Sequence, residues 1–177
     1  MATEVELLNE AEMKRALTRM SYEILERNHG TANLAIVGIK TRGAIIANRI
    51  KDRINQLEEA DVFYGELDVR AYRDDLDQEK DKLIKDLSQL DFDVNGKHIF
   101  ICDDVLMTGR TIRATMDALM DHGRPSKISL VTLIDRGHRE LPIRADIVGK
   151  NIPTSRQEKI RVKMRELDSK DAVYIIK

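Results

Sequence analysis

Aromatic residues make up only 4% of this 177-residue chain, and there is no tryptophan. That scarcity argues against a broad platform for stacking bases. A single cysteine, Cys102, rules out an intramolecular disulfide and agrees with a reducing cytoplasm. No apolar run reaches membrane-spanning length, and the start, Met1 to Glu6, lacks a basic region followed by an apolar core. The expectation is a soluble, cytoplasmic protein with no membrane partner. His29, His98, His122 and His138 are scattered, so no His/Cys cluster suits a transition metal. There is no Gly-Lys-Ser/Thr phosphate loop and no triple-glycine dinucleotide fingerprint. No repeat or low-complexity tract breaks the chain, whose length fits one domain, residues 1–177, able to bury its own core.

Charge is abundant, at 34% of residues, yet the formal net charge is only -1. It is unevenly spread. Residues 58–93 hold thirteen acids against five bases, whereas residues 136–165 hold nine Lys/Arg against three acids. Such asymmetry suits either a local anionic partner or a solvated face beside a phosphate site, and composition leaves both open.

The chemistry concentrates in Ile99 to Arg113. An apolar run of strand length stops at Asp103-Asp104, crosses Val105-Leu106-Met107, and meets Thr108-Gly109-Arg110-Thr111 at the start of a helix, Ile112 to Met120. Amides at a helix start, the hydroxyls of Thr108 and Thr111, and the close approach allowed by Gly109 suit a phosphate dianion. Asp103 and Asp104 at the strand end can accept hydrogen bonds from the vicinal hydroxyls of a sugar. Together they read as a ribose 5-phosphate site; an Asp-capped turn after a buried strand is the plainer reading of the Asp-Asp pair alone.

In chain order, Asn9 and Glu12 form a capping box for a helix from about Glu10 to Arg27, ended by Asn28-His29-Gly30. Arg15, Arg19, Glu23 and Arg27 step along one of its faces beside Thr18, a pattern also expected of an ion-paired solvent stripe. Leu34 to Ile39 reads as a parallel strand covered on both faces, followed by Lys40-Thr41-Arg42-Gly43 and a helix from Ala44 to Ile54. This second strand-loop-helix unit, with a hydroxyl and two cations, suits a second phosphate, because ligands of open α/β sheets collect at strand carboxyl ends. Val62 to Ala71 alternates as a strand. Tyr72-Arg73 and a charged stretch to Asp91 follow, containing a short helix between Asp81 and Leu90 and forming either a solvated loop or a lid that keeps water from a cationic transition state. Lys127 to Ile134 is the next strand, and Ile160 to Met164 and Ala172 to Ile176 are terminal strands.

The run around Asp103-Asp104 resembles the phosphoribosyl pyrophosphate (PRPP) motif of type I phosphoribosyltransferases, with Cys102 where an aliphatic residue is usual. Residues 135–146, Asp-Arg-Gly-His-Arg-Glu-Leu-Pro-Ile-Arg-Ala-Asp, and 148–155, Val-Gly-Lys-Asn-Ile-Pro-Thr-Ser, resemble the PyrR family of pyrimidine-operon attenuation regulators that also act as uracil phosphoribosyltransferases. Residues 16–20, 26–28, 37–43 and 72–76 match the same family, so the likeness covers nearly the full chain.

The resemblance implies an α/β, single-domain type I phosphoribosyltransferase fold: a mostly parallel central sheet flanked by helices, a flexible lid at about 70–90, and a small hood. It implies transfer of phosphoribose from PRPP to uracil, giving UMP and pyrophosphate, with Mg²⁺ held mainly by PRPP and not by a protein metal site. The implied catalytic residues are Asp103, Asp104, Arg42 and Arg73. Substrate contacts extend to Lys40, Thr41, Gly43, Tyr72, Val105, Leu106, Met107, Thr108, Gly109, Arg110, Thr111 and Arg136. Within these, residues 108–111 seat the 5-phosphate and Thr41, Arg42 and Arg73 bind pyrophosphate. Residues 40–43 correspond to the family's pyrophosphate loop, which implies a cis Lys40–Thr41 peptide. Uracil is expected against the backbone near Asp135-Arg136-Gly137, with Ile160 or Val162 as an apolar wall.

Arg15, Thr18, Arg19, Arg27, His138, Arg139, Arg144 and Lys150 are implied to bind a hairpin of the operon's messenger RNA leader, under control of UMP or UTP, in a homodimer or higher homo-oligomer. Tyr22 stands where the family often has His. The alternative is a salvage phosphoribosyltransferase for another base, with no RNA role.

Overall fold

The computed structural model describes residues 1–72 and 88–177. Strand β1 (Glu4–Leu8) leads into helix α1 (Glu10–Asn28), whose start is set by Asn9: its side chain accepts from the Glu12 amide at 2.9 Å while the Glu12 carboxylate accepts from the Asn9 amide at 2.8 Å. His29, in the left-handed region at φ 54°, ends it. Strand β2 (Leu34–Ile39) and helix α2 (Arg42–Glu58) follow, then β3 (Phe63–Leu67), a 3₁₀ turn at Arg70–Tyr72, and β4 (Gln89–Leu90). Strand β5 (His98–Leu106), helix α3 (Arg110–His122), β6 (Lys127–Asp135) and β7 (Ile147–Asn151) complete the sheet. Strand β8 (Lys159–Lys163), the short helix α4 (Arg165–Asp168) and β9 (Ala172–Ile176) close the described chain.

The larger sheet has the order β4-β3-β2-β5-β6-β7, parallel throughout except for the antiparallel β4 at one edge. Its middle strands are apolar without a break because both faces are covered. Ile36, Phe100, Cys102, Val131 and Leu133 pack under α1 and α2 through Met13, Met20, Ile24, Ile46 and Ile50. The alternate residues Val37, Ile99, Ile101 and Leu130 pack against Ile112, Ala114, Ala118 and Leu119 of α3. A second, antiparallel sheet, β1-β9-β8, forms the hood, with Thr3 and Lys177 exchanging main-chain hydrogen bonds.

Three differences from the expected elements bear on the site. Strand β5 runs through the two aspartates to Leu106, because β6 continues beside it and pairs Val105 with Ile134 and Leu106 with Asp135. Helix α2 begins at Arg42, so that arginine lies in the first helical turn and not in a loop. The proposed lid and the short helix after Asp81 fall mostly on 73–87, outside the described residues, as does Arg73.

Candidate functional site

Strands β2, β5 and β6 are parallel neighbours, so their carboxyl ends open onto one edge of the sheet. Two segments meet there at close range. A Cβ on Gly43 would lie 2.6 Å from the Cys102 carbonyl oxygen and 3.1 Å from the Asp103 Cα, so the first turn of α2, and with it the Lys40-Thr41 loop, rests directly on β5. The Lys40–Thr41 peptide in that loop is cis, as the resemblance implied. The Lys40 ammonium lies 3.7 Å from Glu66.

Asp103 is buried and Asp104 half-buried. Burial foremost, reinforced by the adjacent Asp104 carboxylate, pushes the Asp103 pKa well above its ordinary value; the Asp104 amide, donating to Asp103 Oδ1 at 2.9 Å, opposes this. Beyond them the Thr108 hydroxyl accepts from the Arg110 amide at 3.2 Å. Gly109 sits at φ 92° as N-cap of α3, where a Cβ would meet Ile143 Cβ at 3.3 Å. The amides of Arg110, Thr111 and Ile112 lie in the first turn of α3, where no intrahelical acceptor exists, and form the positive end of the helix. The Arg110 guanidinium turns aside to Glu140, with Nε at 3.0 Å from its carboxylate.

The loop after β6 is fastened to this turn. The Arg136 amide donates to the Leu106 carbonyl at 3.1 Å, and the Glu140 and Leu141 amides donate to the Thr108 carbonyl at 2.9 and 3.2 Å. Arg139 donates to the carbonyls of Met107 and Ile143 and to Asp135. Its guanidinium therefore braces two loops. The Arg136 side chain is buried and holds the segment below the hood, donating to Thr154 Oγ1 and to the carbonyls of Ser155 and Glu158. The Gly137 amide donates to Asp135 Oδ1 at 3.1 Å. Asp135, Arg136, Gly137, His138, Asn151 and Thr154 line a cavity of about 450 Å³.

A groove of about 400 Å³ brings Asp104 and Arg42 together with Ile160 and Val162, the two residues expected as an apolar wall, and with Asp168. Tyr72 does not line this groove. Its hydroxyl donates to Asp121 in the last turn of α3 at 2.8 Å, while its carbonyl accepts from Arg113 near the start of that helix at 3.1 Å, so Tyr72 lies along α3 with its ring tip toward the far end. Among the described residues no group of three His, Cys, Asp or Glu could hold a metal ion.

Of the eight residues expected at RNA, Arg15, Thr18, Arg19 and Lys150 line one groove of about 880 Å³, together with Tyr22. Lys14 and Arg53 join them there. Both were missed by sequence reasoning, Arg53 because it comes from α2, which no spacing within α1 can signal. Arg19 pairs with Glu23 at 2.8 Å and donates to the Gly149 carbonyl at 2.6 Å. Arg27 donates to the Asp146 carbonyl at 2.9 Å, so the expected Arg19-Glu23-Arg27 stripe is ion-paired only in its first half. His138, at φ 70°, places Nε2 2.5 Å from the Thr154 carbonyl, and Arg144 is exposed.

Comparison with known proteins fits this geometry. Residues 5–165 match the family described as "Phosphoribosyl transferase domain". The chain is 54% identical over 179 residues to "Bifunctional protein PyrR" of Listeria monocytogenes serotype 4b (strain CLIP80459), covering 99% of this chain and 98% of that one. It is 57% identical over 173 residues to the protein of that name from Enterococcus faecalis (strain ATCC 700802 / V583), covering 97% and 96%. Among solved structures, a hypoxanthine phosphoribosyltransferase from Staphylococcus aureus superposes with a TM-score of 0.74 at 22% identity, covering 98% of this chain and 91% of that one. The hypoxanthine phosphoribosyltransferase of Trypanosoma cruzi in complex with the product IMP gives 0.72 at 17% identity, covering 97% and 93%. At those identities the likeness is one of fold.

Proposed function

Because this chain belongs to the phosphoribosyltransferase-domain family, and within it to the bifunctional PyrR proteins, we propose that the carboxyl edge of its sheet serves both activities. It converts uracil and PRPP to UMP and pyrophosphate. It also regulates attenuation of the pyrimidine operon by binding the messenger RNA leader under uridine-nucleotide control. The contact of Gly43 with Cys102 and Asp103 carries the assignment of residues: it sets a pyrophosphate loop and a sugar-phosphate seat side by side on adjacent parallel strands.

In this reading, Thr108, Gly109, Arg110 and Thr111 receive the 5-phosphate through main-chain amides and hydroxyls at the positive end of α3. Asp103 and Asp104 accept hydrogen bonds from the ribose hydroxyls, and Thr41 and Arg42 hold pyrophosphate. The bond from the ribosyl carbon to pyrophosphate breaks as the bond to uracil N1 forms. Charge spreads over the sugar in between, so the protein's contribution is position and electrostatics. Uracil lies between the backbone near Gly137 and the wall of Ile160 and Val162.

The Asp103-Asp104 pair would offer hard oxygen donors to a Mg²⁺ that enters chelated by PRPP. When bound, the ion neutralises charge on the departing pyrophosphate. Arg15, Arg19, Arg144 and Lys150 present cations, and Thr18 a hydroxyl, to the RNA, and a homodimer or larger homo-oligomer joins such faces. We place the protein in the cytoplasm, where the leader is transcribed; no described helix is long and apolar enough to cross a membrane.

Titrating leader RNA with and without UMP, and assaying uracil against hypoxanthine as acceptor, tests the reading. Tighter RNA binding with UMP and turnover of uracil are expected. Turnover of hypoxanthine alone, with no RNA bound, would overturn it.

A further inference from the structure

Arg42 carries more hydrogen bonds to the hood than a residue waiting for an anion requires. Its Nε donates to the Val162 carbonyl at 2.9 Å, and its Nη2 lies 3.2 Å from both oxygens of Asp168. Nη1 makes no hydrogen bond to any described residue. Asp168 is itself held, because its Oδ2 accepts from the Met164 amide at 2.8 Å. That amide foremost, with the Arg42 guanidinium, keeps its carboxyl below the usual range and therefore ionised at neutral pH. Both residues line the groove they share with Asp104.

A lone arginine loses much rotamer freedom on gripping an anion, whereas one already fixed at two nitrogens loses little. We propose that Asp168 is a positioning residue of the transferase site: it fixes Arg42 through Nη2, while Val162 fixes Nε, and so keeps Nη1 ready for the pyrophosphate group. The inference rests on the assignment of Arg42 to pyrophosphate made above and deepens it, because the partner groups come from β8 and α4. The grip on the leaving group therefore depends on the hood being in place over the sheet. It also explains why the chain spends a carboxylate beside a cation that must meet an anion. An ion pair that occupies one edge of a guanidinium leaves the other edge for a second partner.

Asp168→Asn is the test, because asparagine retains an oxygen for the Met164 amide while losing the charge that holds Arg42. Product inhibition by pyrophosphate should weaken about two- to tenfold, the cost of ordering one freed arginine side chain, and the KM for PRPP should rise with it. The KM for uracil and the melting temperature should hold near wild type. Arg42→Gln should weaken pyrophosphate inhibition by itself, and Asp168→Asn should add nothing in that background. If Arg42→Gln weakens inhibition and Asp168→Asn does not, the positioning role is wrong and the assignment of Arg42 stands. If Arg42→Gln leaves inhibition unchanged, the assignment itself falls, and the inference with it. Equal rises in both KM values with a lowered melting temperature would mark Asp168 as merely structural and overturn the proposal. Should Asp168→Asn fail to fold, Arg42→Lys serves instead: a single ammonium cannot hold Asp168, Val162 and pyrophosphate at once, so inhibition weakens, and wild-type inhibition overturns the proposal.

Discussion

Replacing Gly43 with alanine places a methyl group where the end of β5 already is. Its Cβ would stand 2.6 Å from the Cys102 carbonyl oxygen, against about 3.3 Å for an ordinary carbon–oxygen approach, so the first turn of α2 must retreat by about 0.7 Å. The obstacle is backbone and cannot rotate away. Alanine at a helical position usually gains about 1 kcal/mol over glycine, but overpacking costs about 1–3 kcal/mol, and the clash outweighs the propensity. At roughly 2–4 °C per kcal/mol for a chain of this length, melting should fall by about 2–12 °C before any propensity gain. The larger effect is catalytic. A shift of this size between Thr41-Arg42 and Asp103-Asp104 should lower kcat/KM for UMP formation on the order of ten- to a hundredfold. Steady-state rates with uracil and PRPP, alongside thermal melting, read both quantities. RNA binding without nucleotide should survive, because the groove at Arg15 and Lys150 lies elsewhere. Wild-type kcat/KM and an unchanged melting temperature would refute the close packing of α2 on β5.

Gly109→Ala should also lower kcat/KM, chiefly through the KM for PRPP, because φ 92° strains any side chain at the helix start; an unchanged KM would count against the phosphate seat. Arg139→Gln should cost about 2–4 kcal/mol, seen as an earlier urea midpoint, since it strands three carbonyl or carboxylate acceptors. Arg144→Glu should leave that midpoint within about 0.5 kcal/mol while weakening RNA in a gel shift. Burial foremost, with Lys127 nearby, lowers the His98 pKa from its ordinary value of 6.5, so the unfolded chain takes that proton first. Stability from this group is present above 6.5 and lost as pH falls below it. His98→Gln should flatten that slope between pH 7.5 and 5.5, and an identical slope would refute the assignment. Because burial and Asp104 raise the Asp103 pKa, the acid limb of kcat/KM should lie above the usual carboxylate range, and Asp104→Asn should move it to lower pH.

Much of this architecture was legible in the residues because local rules and tertiary context agree. Asn9 and Glu12 announce α1 by a reciprocal cap that needs no partner, and β2, β5 and β6 announce themselves by unbroken apolar runs that only a doubly covered sheet can use. Strand β1 went unread because only Leu8 of its five residues is buried and its partner β9 lies at the far end of the chain. Strand β7 went unread because Ile147 alone is buried while Gly149 and Lys150 interrupt the pattern. The aspartates and the glycine loops were legible because phosphate chemistry demands those residue types in one short run. The duties of Arg139, Arg136 and Asp168 were not, since each acts on main-chain carbonyls or on a side chain more than a hundred positions away, and those partners leave no mark in the linear pattern.

The hydrogen bonds from Arg136, Arg139, Glu140 and Leu141 to the carbonyls of Leu106, Met107 and Thr108 weld the turn before α3 to the loop that ends in Arg144. The two segments are thereby joined main chain to main chain. On the proposed sites, a nucleotide seated at residues 108–111 and RNA held by Arg144 would draw on the same piece of chain, so that binding of either would lower the cost of aligning it for the other. Pyrimidine supply and RNA control would then be linked through one short stretch of main chain.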